Sequence, residues 1–173
     1  MRGVTESTSP MPEDVSKDVF LKRVRNAHAD WAHALARTPA EGLSQPGFCG
    51  GWSAKDVIAH MTWYEREMVD MLQRKQFGGS DLWQLALDER NATIHAELAG
   101  TELIQAVAEA EAVHDQLIAG LMSLSEDDLN DPTAFPGMPL EWKPWQVLAS
   151  NTYEHYEDHV AQTRQQLPGQ DAE

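Results

Sequence analysis

Three histidines stand where their rings could bind one metal ion. His155 and His159 are four residues apart, so a helix places both on one face, differing by only about 40° around the axis. That spacing lets two ring nitrogens reach one ion, at roughly 2.0–2.1 Å each. A third ligand must come from another helix, and His60 is the natural candidate. Three protein ligands leave a position open for water or substrate, which is typical of catalytic sites.

The same residues allow a plainer interpretation. Two histidines at this spacing on a helix often arise by chance, and His60 alone reads more simply as a partly buried, hydrogen-bonded core residue. The remaining histidines have no comparable partner and are interpreted as surface or packing residues: His28, His33, His95 and His114.

The first half of the chain predicts two long helices that could position these residues. Apolar residues recur every three or four positions from Glu13 until Thr38-Pro39 stops the pattern. A loop rich in glycine follows, and Ser53-Ala-Lys-Asp56 forms a capping-box pattern that opens the second helix. Phe77-Gly78-Gly79 ends that helix.

The second half predicts an extra helix, a third long helix and a last one. Ser80 caps the extra helix, which runs through Leu98, and Thr101 caps the third long helix. A second capping box at Ser125 predicts one short turn, and Pro144 opens a last helix to about residue 166. No strand pattern appears. We therefore predict an all-α four-helix bundle over residues 13–167, with flexible tails at 1–12 and 168–173.

Composition narrows the classes of partner. The chain of 173 residues carries 28 acidic and 13 basic side chains, a formal net charge of −15. A nucleic-acid-binding surface needs an excess of lysine and arginine, so we predict no nucleic-acid partner. For the same reason we predict no binding to an anionic membrane surface. No apolar stretch approaches the roughly 20 residues of a membrane span, and no secretory signal is visible. Cys49 is the single cysteine, which fits a reducing cytoplasm.

Two segments carry a resemblance to a known family. Gly51-Trp-Ser-Ala-Lys-Asp-Val-Ile-Ala-His60 resembles the start of the second helix in DinB-like bundles, where a Trp-Ser pair is followed by a histidine. Asn151-Thr-Tyr-Glu-His-Tyr-Glu-Asp-His159 resembles their last-helix motif, and Asn91 resembles a recurring asparagine. The likeness covers roughly residues 13–167 and is closest to the branch with the ClbS/DfsB-type bundles.

The resemblance implies a site and a class of chemistry. It implies a divalent metal, nickel or zinc, held by His60, His155 and His159, although some ClbS/DfsB-type relatives lack this triad. Known members include transferases and isomerases that use a low-molecular-weight thiol, and others that confer resistance to toxic electrophiles. Relatives often form homodimers. We therefore expect a metal-dependent transferase or hydrolase acting on a small molecule. The alternatives are a non-enzymatic binder of a small molecule or metal, and a structural dimeric bundle.

Other polar residues are weaker candidates. Asn151, Glu154 and Glu157 flank the histidines and could contact substrate, orient an imidazole or act as general base. Each could equally belong to a solvated polar face. Cys49 is interpreted as non-catalytic, because no base is evident near it. Four tryptophans could form the wall of a pocket but are interpreted mainly as core packing: Trp52, Trp63, Trp142 and Trp145.

Overall fold

The computed structural model describes the backbone of residues 13–166, and the side chains of all of these except 40, 41 and 164–166. Within that range the chain is helical and contains no strand, which confirms the all-α prediction. The predicted tails at 1–12 and 168–173 lie outside the described residues. Eight α-helices are described: α1 Lys17–Ala36, α2 Ala40–Ser44, α3 Ala54–Arg74, α4 Leu87–Leu98, α5 Leu103–Ser123, α6 Glu126–Asn130, α7 Pro144–Ser150 and α8 Tyr153–Gln166.

Four long elements form the bundle: α1, α3, α5 and the α7–α8 pair. Helix α3 packs mainly along α5, and α1 packs mainly along α8. Fully buried side chains from the different elements meet in one core, including Val24, Val57, Leu117 and Leu148. Burying such apolar side chains is the main source of stability. No helix among the described residues has the length and apolar character that crossing a membrane requires.

The start of the first helix differs from the prediction. Helix α1 begins after Ser16, whose hydroxyl accepts a hydrogen bond from the Val19 amide at 3.3 Å, and not at Glu13. The chain just before this cap is tied to the Asn130 side chain. That side chain accepts a hydrogen bond from the Val15 amide and donates one to the Val15 carbonyl, both at 2.9 Å. This contact with α6 keeps residue 15 outside the helix. Both predicted capping boxes, at Ser53 and Ser125, are confirmed.

The connection between the second and third long helices is broken into two pieces. Ser80 caps only a 3₁₀ turn, Asp81–Gln84, and α4 starts at Leu87, so the predicted continuous helix from Ser80 to Leu98 is wrong. The reason is an anchor on α3: one Glu67 oxygen accepts from the Ser80 amide at 2.8 Å and from the Trp83 indole at 2.6 Å. The N-cap of α5 is Glu102, one residue later than predicted.

The last long element is also divided. Pro144 opens α7 as predicted, but α7 ends at Ser150 and α8 begins at Tyr153. Asn151 leaves the helical conformation with φ −107° and ψ 6°. Two side chains bond back to carbonyls four residues earlier, Asn151 to Val147 at 2.8 Å and Thr152 to Leu148 at 2.6 Å. Such back-bonding competes with the helix ladder and bends helices. The break sets the direction of α8 and hence of its two histidines.

Candidate metal centre

The three predicted ligands meet at one point. His60 lies in α3, and His155 and His159 lie one turn apart in α8. The Nε2 atom of His155 is 3.1 Å from Nε2 of His60 and 3.0 Å from Nε2 of His159. One ligand atom from each residue lies within 4.8 Å of the others, and this is the one such cluster among the described residues. Two nitrogens on one zinc ion at about 2.0–2.1 Å stand roughly 3.0–3.4 Å apart, so the spacing fits.

The environment keeps all three imidazoles neutral. Burial, with smaller effects from the charges of His159, Arg90 and His95, lowers the pKa of His60 to about 3. Burial lowers the pKa of His159 to about 4, although Asp158 and Gln162 act in the opposite direction. Burial, then the charges of the other two histidines, lowers the pKa of His155 well below its usual 6.5. A neutral imidazole offers a lone pair, which is the form that binds a metal.

These nitrogens cannot satisfy one another. A neutral imidazole nitrogen either donates one hydrogen or accepts with one lone pair. The Nε2 atom of His155 faces two Nε2 atoms at once, so at least one pairing in the cluster has no proper complement. His60 Nδ1 is also buried without a hydrogen-bond partner among the described residues. A divalent cation at the common point accepts three lone pairs together, and the donor set therefore fits such an ion.

Aromatic rings enclose the histidines. The Trp52 ring meets the His60 ring edge-on, with centroids 5.1 Å apart. The Tyr64 ring lies 5.0 Å from both His60 and His155, and its hydroxyl donates to Asn91 Oδ1 at 2.7 Å. Through this bond Asn91, which resembles a recurring asparagine of the family, holds the Tyr64 ring beside the histidines. The rings limit water around the nitrogens and lower the local dielectric, which strengthens charge interactions there.

Cys49 approaches the triad from a loop, which the sequence pattern did not indicate. Its Sγ lies 3.7 Å from Nδ1 of His159 and donates to Oε1 of Gln162 at 2.6 Å. The loop can turn sharply here because Gly50 and Gly51 adopt φ values of 53° and 93°, which favour glycine. Burial raises the pKa of Cys49, so the group is a neutral thiol. Cys49 is placed to orient the His159 ring by contacting Nδ1, since the other ring nitrogen, Nε2, faces His155.

The three catalytic candidates, Asn151, Glu154 and Glu157, have different surroundings. Glu157 makes a two-point ion pair with Arg23 of α1, at 3.1 and 3.2 Å. Glu154 is partly buried, and burial is the first cause that raises its pKa. Asn151 lies at the break between α7 and α8, where its amide nitrogen bonds the carbonyl of Val147. Their catalytic roles stay predictions.

A second buried polar cluster lies further along the same helices. Glu65 of α3 is 2% exposed, and its Oε1 accepts from the Tyr156 hydroxyl at 2.8 Å and faces His114 Nδ1 at 3.2 Å. The His28 ring stacks on His114 with centroids 3.6 Å apart. His28 and His114 are therefore packing residues, but they belong to a network that sequence reasoning missed. The available signal was Glu65 itself, a charged residue four positions from Met61 on the apolar stripe of the second long helix.

Comparison with known proteins identifies the family. The family model described as the DinB superfamily matches residues 21–163. The chain belongs to the DinB superfamily. This match covers most of the described helices and all three histidines, and it confirms the resemblance given by the two sequence motifs. A search of curated protein sequences finds no match.

Solved structures show the same fold in similar proteins. An uncharacterised protein from Escherichia coli UTI89 superposes with a TM-score of 0.70 at 12% identity, covering 91% of this chain and 94% of that one. The colibactin self-resistance protein ClbS, solved in complex with double-stranded DNA, gives 0.71 at 13%, covering 91% and 96%. DfsB, described as a sibling lethal factor precursor, gives 0.71 at 16%, covering 88% and 95%. At these identities the likeness concerns the fold alone.

Proposed function

We propose that the chain is a metal-dependent enzyme that acts on a small molecule. The observation that carries the proposal is the convergence of three ring nitrogens, one each from His60, His155 and His159, within 4.8 Å of one another. They are neutral, enclosed by aromatic rings and unable to satisfy each other. Zinc and nickel are the ions we favour, because the family resemblance implies them. Imidazole ligands by themselves suit zinc, nickel, copper and iron alike.

The residues around the site have distinct tasks in this proposal. His60, His155 and His159 bind the ion, and Cys49 orients His159 from behind. Trp52 and Tyr64 exclude water from the nitrogens. A divalent metal held in this way supplies a Lewis acid that lowers the pKa of a bound water or thiol. Asn151 is the candidate we favour for contacting substrate, since it lies beside an open cleft.

The reaction class we propose is attack by a thiol or water on a small electrophile. Zinc-loaded protein should turn over p-nitrophenyl acetate, or couple a low-molecular-weight thiol to 1-chloro-2,4-dinitrobenzene, above the uncatalysed rate. His155→Ala should return the rate to background, whereas His33→Ala, which removes an exposed histidine, should not. Equal turnover by His155→Ala and the unaltered chain would contradict the proposal.

A non-enzymatic binder is the second candidate function. It is favoured by the cleft beside Asn151 and by the fold shared with ClbS, which is described as a self-resistance protein. Tight binding of a small molecule without turnover, in metal-loaded protein, would support this function over catalysis.

We further infer that the chain does not bind nucleic acid, although ClbS was solved with double-stranded DNA. The net charge of −15 repels phosphates. Fluorescence anisotropy with a labelled duplex should show no binding at physiological salt, and saturable binding there would contradict this inference.

We also propose a homodimer, supported by exposed apolar residues on α5 such as Ile104, 80% exposed, and Val107. Sedimentation of the protein as a monomer would contradict the dimer.

We propose a cytoplasmic location, which fits the buried free thiol of Cys49. Export of the native chain would overturn this proposal.

A further inference from the structure

A cleft of about 670 Å³ lies between α3, the 3₁₀ turn, α4 and α7. Clefts that hold small organic molecules usually have volumes of about 300–1,000 Å³. The cleft is close to the triad, because Trp83 on its wall contacts Tyr64 with centroids 5.6 Å apart. Tyr64 in turn contacts His60 and His155. Contacts through Trp83 and then Tyr64 therefore connect the cleft with the histidines.

The walls of the cleft are mainly apolar. Met68 and Met71 of α3 form part of them, together with Phe77 and Trp83. Trp142 lines the cleft and is 45% exposed, so this tryptophan does not simply fill the core as the sequence suggested. Large exposed aromatic surface in a concave site is suited to an apolar or aromatic ligand.

One cation, Arg90, lines this apolar cleft, and its described surroundings hold no acidic partner. The Arg90 guanidinium stacks over the Trp83 ring at 4.5 Å, and its Nε donates to the Tyr64 hydroxyl at 3.0 Å. No carboxylate of the described residues forms an ion pair with Arg90, although acidic groups outnumber basic ones by 28 to 13 in the whole chain. Asp81 also lines the cleft, but it is exposed and is not paired with Arg90.

These features fix the position of Arg90 and leave its charge available. Stacking on Trp83 and the bond to Tyr64 hold the guanidinium plane, while its terminal amino groups make no hydrogen bond with the described residues. A preorganised guanidinium binds a carboxylate or sulfonate through two parallel hydrogen bonds. A cation at a mostly apolar wall selects for a ligand with both an apolar body and an anionic group.

We propose that this cleft binds small anionic molecules with an aromatic or apolar body, and that Arg90 recognises the anionic group. Calling that molecule the substrate rests on the proposed function, since it assumes that the neighbouring histidines hold a reactive metal. The binding itself does not depend on the metal. Tyr64 connects the two, because its hydroxyl accepts from Arg90 and its ring contacts His60 and His155.

The test compares two fluorescent probes that share an aromatic body. 8-Anilinonaphthalene-1-sulfonate carries one negative charge, and N-phenyl-1-naphthylamine carries none. Zinc-loaded protein should bind both, and Arg90→Gln should weaken the anionic probe by about tenfold or more, as expected for losing a charge-assisted hydrogen bond. Binding of the neutral probe should change by less than about twofold. Arg66→Gln is the matched control, because Arg66 is a partly exposed arginine already paired with Glu109.

Two further variants keep the test decisive if Arg90→Gln folds poorly. Arg90→Lys keeps the charge and should retain part of the preference for the anionic probe. Trp142→Ala removes an exposed wall residue and should weaken both probes together. Equal affinity of the unaltered chain for both probes, or an anionic preference that survives Arg90→Gln, would overturn the proposal. So would the absence of any binding by the folded, unaltered protein.

The same variants separate this proposal from the proposed metal site. His155→Ala should lose metal and keep the anionic preference. A chain that holds no metal but shows a preference dependent on Arg90 supports the cleft and contradicts the metal site. A chain that holds metal but shows no such preference contradicts the cleft and leaves the metal site standing.

Discussion

Two buried polar clusters connect α3 with α8, and they differ in how well their atoms are matched. In the Glu65 cluster, formed by Glu65, His114, Tyr156 and His28, one carboxylate meets a hydroxyl donor and an imidazole. In the triad, three neutral imidazoles direct nitrogens of the same kind at one another. The first cluster is complete with protein atoms alone, because donors meet acceptors. The second is not matched in this way, and we propose that it takes a metal ion as the missing partner.

This difference indicates what each cluster does. A matched network of buried polar groups stabilises a particular packing of helices. Nitrogens that converge without complement instead mark a ligand site, since leaving buried polar groups unsatisfied costs free energy. The comparison can be tested by disrupting each cluster in turn and asking whether folding stability or metal binding changes.

Removal of the Glu65 carboxylate should have the largest effect on stability. Glu65→Ala leaves the Tyr156 hydroxyl and His114 without their acceptor in the core, and should reduce the free energy of unfolding by about 3 kcal/mol. Urea denaturation measures this loss. Glu65→Gln keeps the shape and one acceptor, so it should cost less. Metal content per folded molecule should stay near that of the unaltered chain. An unchanged urea midpoint in Glu65→Ala would show that the cluster does not hold the helices together.

Metal should stabilise the folded chain through the triad. An ion that binds only the folded state at a free concentration about 100 times its Kd adds about 2.7 kcal/mol. Thermal unfolding with zinc and with chelator measures this difference. His155→Ala should show no zinc-dependent shift, while His33→Ala should show the full shift. A shift of the same size in both variants would mean that zinc binds elsewhere.

Loss of the Cys49 thiol should weaken the metal site without breaking it. Cys49→Ala removes the group behind His159 and should lower metal affinity by about tenfold, the usual effect of losing a group that orients a ligand. Competition with a coloured chelator gives the affinity. The smaller hydroxyl of Cys49→Ser should restore part of the loss. If Cys49→Ala binds metal as tightly as the unaltered chain, the thiol does not orient His159.

Acid should destabilise the metal-free chain slightly through His28. Burial, then the charge of His114, lowers the pKa of His28 to about 4, while Asp115 acts to raise it. Between pH 6.5 and about 4 the unfolded chain therefore binds the extra proton, and stability falls as pH falls. The full shift would correspond to a loss of about 2 kcal/mol between pH 7 and pH 5. Because His28 is only partly buried and solvent screens its charge, we expect about 1 kcal/mol. His28→Asn should reduce the slope of unfolding free energy against pH over that range. The same slope in both chains would contradict this assignment.

The sequence predicted the features that depend on local spacing. The capping box at Ser53, the proline start of α7 and the pair His155 and His159 are all readable from neighbouring residues. His60 was the natural third candidate from the residues alone, and the family resemblance strengthened that choice. Contacts between distant segments were not readable in this way. Cys49 meets His159 across 110 residues, and Asn130 holds Val15 across 115. The break at Asn151 was missed because polar residues inside a helix pattern do not reveal where their side chains will bond.

The most direct test of the central claim is elemental analysis of the full chain, purified without a histidine tag, beside His155→Ala and His33→Ala. We predict close to one zinc or nickel ion per chain, lost in His155→Ala and kept in His33→Ala. Full metal content in His155→Ala, or no metal in the unaltered chain even after zinc and nickel are added back, would contradict it.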